Sequence, residues 1–291
     1  MRGYIIEAYN NMGNAYVSTR LIEEARKRNV ELSVIGVQDI TICDGVAYNK
    51  GEKIEPREFV INRYKWGKKK NDLNLLGERC YNSIESFNIY VNKYEQIKRL
   101  GSEHFFKPRY ILGSAALSYN SLANYLGGRV IAKGLENSMG REVFLLESQE
   151  DMEQLRKYDE HKEWLFEEFI ETSYGKDLRV YVIRGEVIGC MKRQAESDFR
   201  ANVALGASAV MYEITDTIRE IALDIYRETE LDFVGIDLLF GESGFYLCEI
   251  NVMPGLRGIE ETSGVNVAGK IIDMICEDFD HEQNRSRRLY L

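Results

Sequence analysis

Two apolar segments near the end of the chain flank a short polar turn and carry three polar side chains within them. Segment 234–240 is apolar apart from Asp237, and segment 245–251 contains Glu249 and Asn251. Burying an unpaired carboxylate costs roughly several kcal/mol, so such groups are usually paired or bound to a cation. The pattern predicts a β-hairpin that brings charged side chains into the protein interior.

The length of the turn decides which residues of the hairpin face each other. If Glu242, Ser243 and Gly244 form a three-residue loop, with Gly244 in the left-handed region, Asp237 lies opposite Glu249. Asn251 shares a strand face with Glu249, because side chains two residues apart point the same way. Carboxylate and amide oxygens suit Mg²⁺, which usually arrives with substrate phosphates. The hairpin therefore predicts a magnesium site.

Composition excludes several classes of protein. The formal net charge of −9 argues against nucleic-acid binding as the main role. The five cysteines are scattered without a close pair, which is typical of reduced thiols in a cytosolic protein. The sequence shows neither a leader pattern nor an apolar stretch long enough to span a membrane. We therefore expect a cytoplasmic protein with no membrane partner.

The first part of the chain alternates strand-like and helical patterns. Apolar runs at 4–8, 32–37 and 58–64, with an amphipathic helical pattern at 18–28, predict a parallel, Rossmann-like unit. The basic run from Arg63 to Lys70 favours a solvated loop, with a binding surface for an acidic group as the alternative.

Later segments predict further helices and a domain division. Segments 215–230 and 265–279 read as helices, and Ser148 is a plausible N-cap for a helix ending near 158. We predict domains at 1–85, 86–170 and 171–280, followed by a frayed polar tail at 281–291.

Several other polar residues have both a structural and a functional interpretation. Lys133 ends an apolar strand, where it either protects a sheet edge or points at a phosphate, and loop 136–141 after it is suited to covering phosphates. Glu168 and Phe169 either form an ordinary acidic strand end or frame an aromatic base. Asp177 is a candidate to bind ribose hydroxyls. Arg200 and Asn202 are either solvated loop residues or stabilise charge that develops during a reaction.

Taken together, the order of these features resembles the ATP-grasp ligases, and among them the RimK-type family, which adds glutamate to ribosomal protein tails. The resemblance covers residues from about 83 to 277 well and the N-terminal part weakly. Its most specific motifs are Gly235-Ile236-Asp237, Glu249-Ile250-Asn251, Pro254-Gly255-Leu256, Gly258-Ile259-Glu260 and the block 198–202.

The resemblance implies an α/β (α+β) ATP-grasp fold with an N-terminal Rossmann-like pre-ATP-grasp domain, and it implies ATP and two Mg²⁺ ions as cofactors, with Mn²⁺ able to substitute. It also implies a role for each candidate residue. Toward ATP, it implies that Lys93 and Lys133 contact the phosphates, that Glu168 and Phe169 surround the adenine, and that Asp177 contacts the ribose. Arg200 and Asn202 are implied to bind the phosphate or intermediate as catalytic residues. Asp237, Glu249 and Asn251 are implied to bind magnesium.

The implied reaction joins a carboxylate to an amine through an acyl phosphate, adding an amino acid such as glutamate to a peptide, protein tail or small metabolite. A phosphotransferase on the same fold and a non-catalytic nucleotide-binding protein are the alternatives. The family's habit suggests a homo-oligomer. The sequence names neither acid nor amine; Arg257 and Glu260 either grip a substrate's carboxylate and amine or form a salt bridge with each other.

Overall fold

The computed structural model of the protein describes residues 1–8, 15–137, 141–201 and 206–289, which fall into two compact units. The first unit contains residues 1–88, 231–233 and 253–291, and the second contains residues 89–230 and 234–252. The predicted finer division at residues 85, 170 and 280 remains a prediction. In the part of the chain that the structure describes, no helix combines the length and the apolar character needed to cross a bilayer.

The first unit is built on a parallel sheet, as the alternating pattern predicted. Its strand order is β2-β1-β6-β7, and every neighbouring pair is parallel. Ile5 and Ile6 of β1 and Val60 of β6 are fully buried, as expected of strands covered on both faces. The elements up to residue 90 are β1 (Arg2–Glu7), α1 (Ala15–Lys27), β2 (Glu31–Gly36), β3 (Ile40–Cys43), β4 (Val46–Asn49), β5 (Glu52–Lys53), β6 (Arg57–Asn62), β7 (Gly77–Tyr81) and α2 (Ile84–Tyr90).

The basic run from Arg63 to Lys70 is not a solvated loop throughout. Arg63 and Lys65 are only 4% and 5% exposed. Arg63 Nε donates to Glu7 Oε1 over 3.0 Å, because β1 and β6 are parallel neighbours that end at the same sheet edge. Trp66 remains 45% exposed. The prediction was wrong for these two buried cations, and for Arg63 the cause is the buried carboxylate of Glu7 beside it.

The second unit contains two further sheets. A four-stranded antiparallel sheet has the order β10-β9-β11-β8, and a five-stranded sheet has the order β14-β13-β12-β15-β16. The elements are α3 (Lys93–Arg99), β8 (Tyr110–Ser114), α4 (Tyr119–Leu126), β9 (Val130–Gly134), β10 (Val143–Leu146), α5 (Gln149–Tyr158), β11 (Glu163–Glu168), β12 (Lys176–Ile183), β13 (Glu186–Gln194), β14 (Ser208–Met211), α6 (Asp216–Thr229), β15 (Phe233–Phe240) and β16 (Phe245–Asn251).

Each sheet of the second unit is covered by helices. Leu122 of α4 and Met152 of α5 pack with Trp164 in the core of the four-stranded sheet. Ser148 caps α5 by accepting from the Asp151 amide, which confirms that prediction. Helix α6 buries the predicted apolar stripe, which includes Ile218, Ile221, Ala222 and Ile225.

Helix α3 is fixed to the outer strand of the five-stranded sheet by the side chain of Gln96. Gln96 Nε2 donates to Ile250 O over 3.0 Å, and Gln96 Oε1 accepts from Ile250 N over 2.8 Å. On the same strand, Leu247 N donates to Phe106 O over 2.9 Å, and Phe106 N donates to Phe245 O over 2.8 Å. These contacts hold β16 along its free edge.

The chain closes with α7 (Arg257–Ser263) and α8 (Val267–Leu289) in the first unit. Helix α8 packs on α1, where Arg28 Nη2 donates to Asp273 Oδ2 over 2.8 Å. The helix continues to Leu289, so the predicted helix end at residue 279 was wrong, while the frayed polar tail at 281–291 remains a prediction.

Candidate active site

The predicted hairpin forms, and it has the predicted register for a different reason. Asp237 of β15 pairs with Glu249 of β16. The loop has four residues, because Phe240 pairs with Phe245, and Gly244 is not in the left-handed region. A bulge between Asp237 and Leu238 restores the register that the shorter loop was expected to give. The prediction of the pairing is confirmed, and the prediction of the turn was wrong.

Asp237 is buried and bound by two arginines. It is 3% exposed. Arg179 of β12 donates from Nε to Oδ1 and from Nη2 to Oδ2, the second bond being 2.5 Å long. Arg193 of β13 lies 3.1 Å from Oδ2 through its Nη2. The carboxylate that looked unpaired in the sequence is thus held by cations from two strands of the same sheet.

Glu249 and Asn251 lie beside Asp237 as predicted. Asn251 Nδ2 is 3.2 Å from Glu249 Oε1 and 3.4 Å from Asp237 Oδ2. Lys93, at the start of α3, contacts Glu249 Oε2 over 3.0 Å. Burial alone would raise the pKa of Glu249, but Lys93 and Lys133 outweigh it and lower that pKa to about 2. Glu249 is therefore ionised at neutral pH.

The two carboxylates among the predicted magnesium ligands keep oxygen lone pairs available. Asp237 Oδ1 accepts only from Arg179, and each oxygen of Glu249 accepts one bond, from Asn251 or from Lys93, among the described residues. Because a carboxylate oxygen can accept two bonds, one lone pair remains at each position. No cluster of three or more His, Cys, Asp or Glu placed to hold a metal occurs in the described ranges. The donor set of two carboxylates and one amide nevertheless fits a hard cation.

Lys133 points into the same region and is not an edge residue. Strand β9 lies between β10 and β11, so the interpretation of Lys133 as protection for a sheet edge is excluded. Its ammonium binds Glu167 Oε2 over 2.6 Å and donates to the Cys248 carbonyl over 3.1 Å. Burial alone would lower the pKa of Lys133, but Cys248 and the carboxylates of Glu167 and Glu249 raise it above its usual value. Lys133 thus remains charged while 6% exposed.

Glu168 ends β11 and Phe169 follows it, as expected, but the carboxylate of Glu168 is already bound by another side chain. Arg109 Nε donates to its Oε2 over 2.5 Å. The Phe169 ring lies edge-on to Tyr174 and Phe199, with centroids 6.1 and 6.4 Å away, beside the Arg129 guanidinium. These rings supply an aromatic surface, while the assignment of either residue to an adenine remains a prediction.

Asp177 lies on the same salt-bridge network as Asp237. Arg193 donates to both of its oxygens, over 2.7 and 2.6 Å. Burial raises the pKa of Asp177 to about 6, against the opposing effect of Arg193. A ribose would have to share this carboxylate with the arginine, so the ribose role remains a prediction.

Arg200 is paired with a neighbouring carboxylate, Asp198. Arg200 donates from Nε and Nη2 to the two oxygens of Asp198, over 3.0 and 2.8 Å, and its guanidinium lies 5.3 Å from the Phe199 ring centroid. Asn202 lies outside the described residues, as do Ser138, Met139 and Gly140 of loop 136–141.

Sequence reasoning missed three charged residues of the site: Glu167, Arg179 and Arg193. Each lies inside a mostly apolar strand, which is the same signal that singled out Asp237. Because side chains alternate along a strand, Asp177 and Arg179 share one face of β12, and this face carries the network.

Arg257 and Glu260 belong to the first unit, and they do not pair with each other. Glu260 Oε2 accepts from the Tyr16 hydroxyl over 2.9 Å and from Arg20 Nε over 3.0 Å. Its Oε1 accepts from the Ala268 amide over 2.9 Å, at the start of α8. Arg257 instead lies 3.9 Å from Glu261. Of the two interpretations of this pair, the salt bridge is therefore not formed, and the grip on a substrate remains a prediction.

Comparison with known proteins finds a matching family and similar proteins in other organisms. A family described as RimK-like ATP-grasp domain matches residues 111–275. A protein of Psychromonas ingrahamii named probable alpha-L-glutamate ligase is 30% identical over 94% of this chain and 95% of its own length. A protein of the same name from Methanococcoides burtonii is 31% identical over 89% of this chain and 91% of its own length.

Solved structures with the same fold include two ATP-grasp enzymes. The D-alanine–D-alanine ligase of Bacillus anthracis in complex with ATP superimposes with a TM-score of 0.70, at 16% identity over 98% of this chain and 99% of the ligase. The ATP-grasp ligase PsnB in complex with its minimal precursor, Mg and ADP superimposes with a TM-score of 0.67, at 19% identity over 94% of this chain and 96% of that protein. The ATP-grasp fold is therefore confirmed.

Proposed function

Because this chain belongs to the RimK-like ATP-grasp family and is an ATP-dependent carboxylate–amine ligase, we propose that it adds an amino acid such as glutamate to a peptide, protein tail or small metabolite. The observation that carries the proposal is the convergence on one hairpin of Asp237, Glu249 and Asn251, with Lys93 and Lys133 beside them. Hard oxygen ligands next to phosphate-binding cations are what MgATP requires.

Asp237, Glu249 and Asn251 would hold magnesium. A metal held by these three side chains would supply positive charge to neutralise the negative charge that develops on the transferring phosphate. Lys93 and Lys133 exchange a carboxylate partner for phosphate oxygens when the nucleotide binds. Two observations support this exchange: both ammonium groups already lie at the hairpin, and each contacts a carboxylate, Glu249 for Lys93 and Glu167 for Lys133.

The adenosine half of the nucleotide lies, in this proposal, near the end of β11. The aromatic surface of Phe169, Tyr174 and Phe199 would stack against the base, and Asp177 would accept from a ribose hydroxyl. The Glu168 amide is already bound to the Arg109 carbonyl over 3.0 Å, which fixes the backbone at this position.

In the first step the substrate carboxylate attacks the γ-phosphorus, which forms an acyl phosphate and releases ADP. In the second step an amine attacks the acyl carbon, a C–N bond forms, phosphate leaves and the amine loses a proton. Arg200 stabilises the oxyanion of the tetrahedral intermediate, since a charged donor is most effective where charge develops. Asn202 is proposed to assist it.

The phosphotransferase alternative loses its main support in the fold. It relied on the basic run from Arg63 to Lys70 as an acceptor pocket, but Arg63 is bound to Glu7 and both Arg63 and Lys65 are buried. We therefore retain the ligase as the proposed function.

The test is an ADP-release assay with a pool of amino acids, short peptides and small carboxylates, followed by the mass of the product. We expect ADP formation to require both a carboxylate and an amine, and the product mass to equal their sum less one water. Glu249→Gln serves as the inactive control. A phosphorylated alcohol as the product would contradict the proposal.

A further inference from the structure

Asp237 is neutralised by the protein itself. Arg179 binds both of its oxygens and Arg193 adds a third N–H contact at 3.1 Å. The exposed fractions of these three side chains are 5% for Asp237, 11% for Arg179 and 7% for Arg193. Arginine stays protonated even when buried, so neither guanidinium can lose its charge to make room for another cation.

The charges of the wider cluster also cancel. The four acids are each matched by a base within 3.0 Å: Glu249 by Lys93, Glu167 by Lys133, Asp237 by Arg179 and Asp177 by Arg193. A divalent cation that enters alone gives this weakly screened cluster a net charge of +2, which is unfavourable. A divalent cation that enters with ATP brings a net negative charge, which the cluster tolerates better.

The geometry also separates the two oxygens of Asp237. Oδ2 is contacted by N–H groups of Arg179, of Arg193 and, at 3.4 Å, of Asn251. Oδ1 receives only Arg179 among the described residues. A carboxylate oxygen accepts two hydrogen bonds, so Oδ2 is saturated and Oδ1 keeps one lone pair. The bidentate fork of Arg179 thus orients Oδ1 as the oxygen open to a cation.

We propose that Arg179 is a positioning residue which presents Asp237 Oδ1 to the metal and also acts as a resident counter-cation that opposes divalent-cation binding until nucleotide phosphates arrive. Metal binding is therefore conditional on the nucleotide. The inference rests on one part of the proposed function, namely that the site binds a nucleotide together with a divalent cation.

The experiment measures Mn²⁺ binding to the full chain from the electron paramagnetic resonance signal of free Mn²⁺, with and without a non-hydrolysable ATP analogue. We expect the wild type to bind Mn²⁺ at least about tenfold more tightly with the analogue. Arg179→Gln keeps side-chain N–H donors but loses the charge, so its nucleotide-free Mn²⁺ affinity should rise at least about tenfold. Arg179→Lys keeps the charge but loses the fork, so its nucleotide-free affinity should not rise, while its Mn²⁺ affinity with the analogue should fall below the wild-type value.

Arg227→Gln is the matched control, because it removes a cation that is 64% exposed on α6. We expect no change in Mn²⁺ binding for this variant. Arg193→Gln is the second test, and it serves alone if Arg179→Gln does not fold. Its effect should have the same direction but be smaller, since Arg193 also binds Asp177.

Two results would overturn the inference: a wild type that binds Mn²⁺ equally well with and without the analogue, or folded neutral variants of both arginines that gain no nucleotide-free affinity. Failure of the proposed function gives a different result. In that case no carboxylate–amine pair supports ADP release, while the Mn²⁺ measurements, which use no ligase substrate, still decide the role of Arg179.

Discussion

Glu260 of the first unit and Glu249 of the second are both shielded carboxylates, with side chains 7% and 20% exposed. Glu260 is held by a tyrosine hydroxyl, an arginine and the backbone amide of Ala268, so both oxygens serve to join α1, α7 and α8. Glu249 is held by Lys93 and Asn251, and its neighbour Asp237 lies in the same cluster. The difference teaches that burial alone does not mark a reactive carboxylate. We expect the carboxylate that acts in the reaction to be the one whose partners, such as Lys93, can bind a ligand instead.

The largest difference between the two regions should appear in ATP turnover, when a carboxylate of the hairpin is replaced by its neutral amide. We expect Asp237→Asn or Glu249→Gln to lower ATP turnover at least about 10³-fold, equal to roughly 4 kcal/mol of barrier, because the metal loses an ionised ligand. The measurement is ADP release at saturating Mg²⁺, with circular dichroism as the check on folding. Near-wild-type turnover in either folded variant would show that the metal assignment is wrong.

The next effect concerns Lys133, whose charge lowers the pKa of Glu249 while its ammonium contacts Glu167. Lys133→Ala should weaken ATP binding by about 10- to 100-fold, or roughly 1.4–2.8 kcal/mol, as measured by titration calorimetry. The change also leaves Glu167 buried without its partner, which destabilises the fold. A Lys133→Met/Glu167→Leu double variant separates the two effects. It should recover stability but not nucleotide affinity, and recovery of both would show that Lys133 serves only Glu167.

For Glu260 we expect the opposite pattern. Glu260→Gln weakens the contacts to Arg20 and Tyr16, so the free energy of unfolding should fall by about 1–3 kcal/mol in a denaturant titration. Turnover by the folded enzyme should fall less than about tenfold. A loss of turnover as large as that of Glu249→Gln, without a loss of stability, would remove the distinction between the two carboxylates.

The smallest effect is a pH dependence. The pKa of Glu249 is lowered from 4.5 to about 2, so its ionised form favours the folded state. This contribution is fully present above the unfolded value and is lost as the pH falls from 4.5 toward 2. Glu249→Gln should therefore lose stability less steeply than the wild type in that window, as followed by thermal melts. Parallel curves would contradict the assigned pKa.

The sequence predicted the pairing of Asp237 with Glu249 but not the path that produces it. A three-residue loop and a four-residue loop with a bulge give the same register, and no residue in 241–244 distinguishes them. Arg179 and Arg193 were missed although each is a charge within a largely apolar strand, like Asp237. Their role depends on which strands are neighbours, and short-range patterns do not contain that information.

The errors elsewhere have similar causes. Arg63 is buried because Glu7 lies at the end of the adjacent parallel strand, a contact between residues distant in sequence. The small antiparallel sheet of β3, β4 and β5 was not predicted, and strands of only two to four residues give weak periodicity. Helix α8 was predicted to end at residue 279, but a helix started by packing can extend through a polar segment, and it continues to Leu289.

The contacts of Gln96 have a consequence for what the five-stranded sheet can accept. The side-chain amide of Gln96 makes the two hydrogen bonds that a residue of a neighbouring strand would make, because it both donates to and accepts from the backbone of Ile250. Together with Phe106, it closes the free edge of β16 to any further strand. The opposite edge, β14, has no partner strand on its outer side among the described residues, and Val210 and Met211 are exposed there. A peptide that adds a strand to this sheet must therefore join it at the edge farthest from the hairpin.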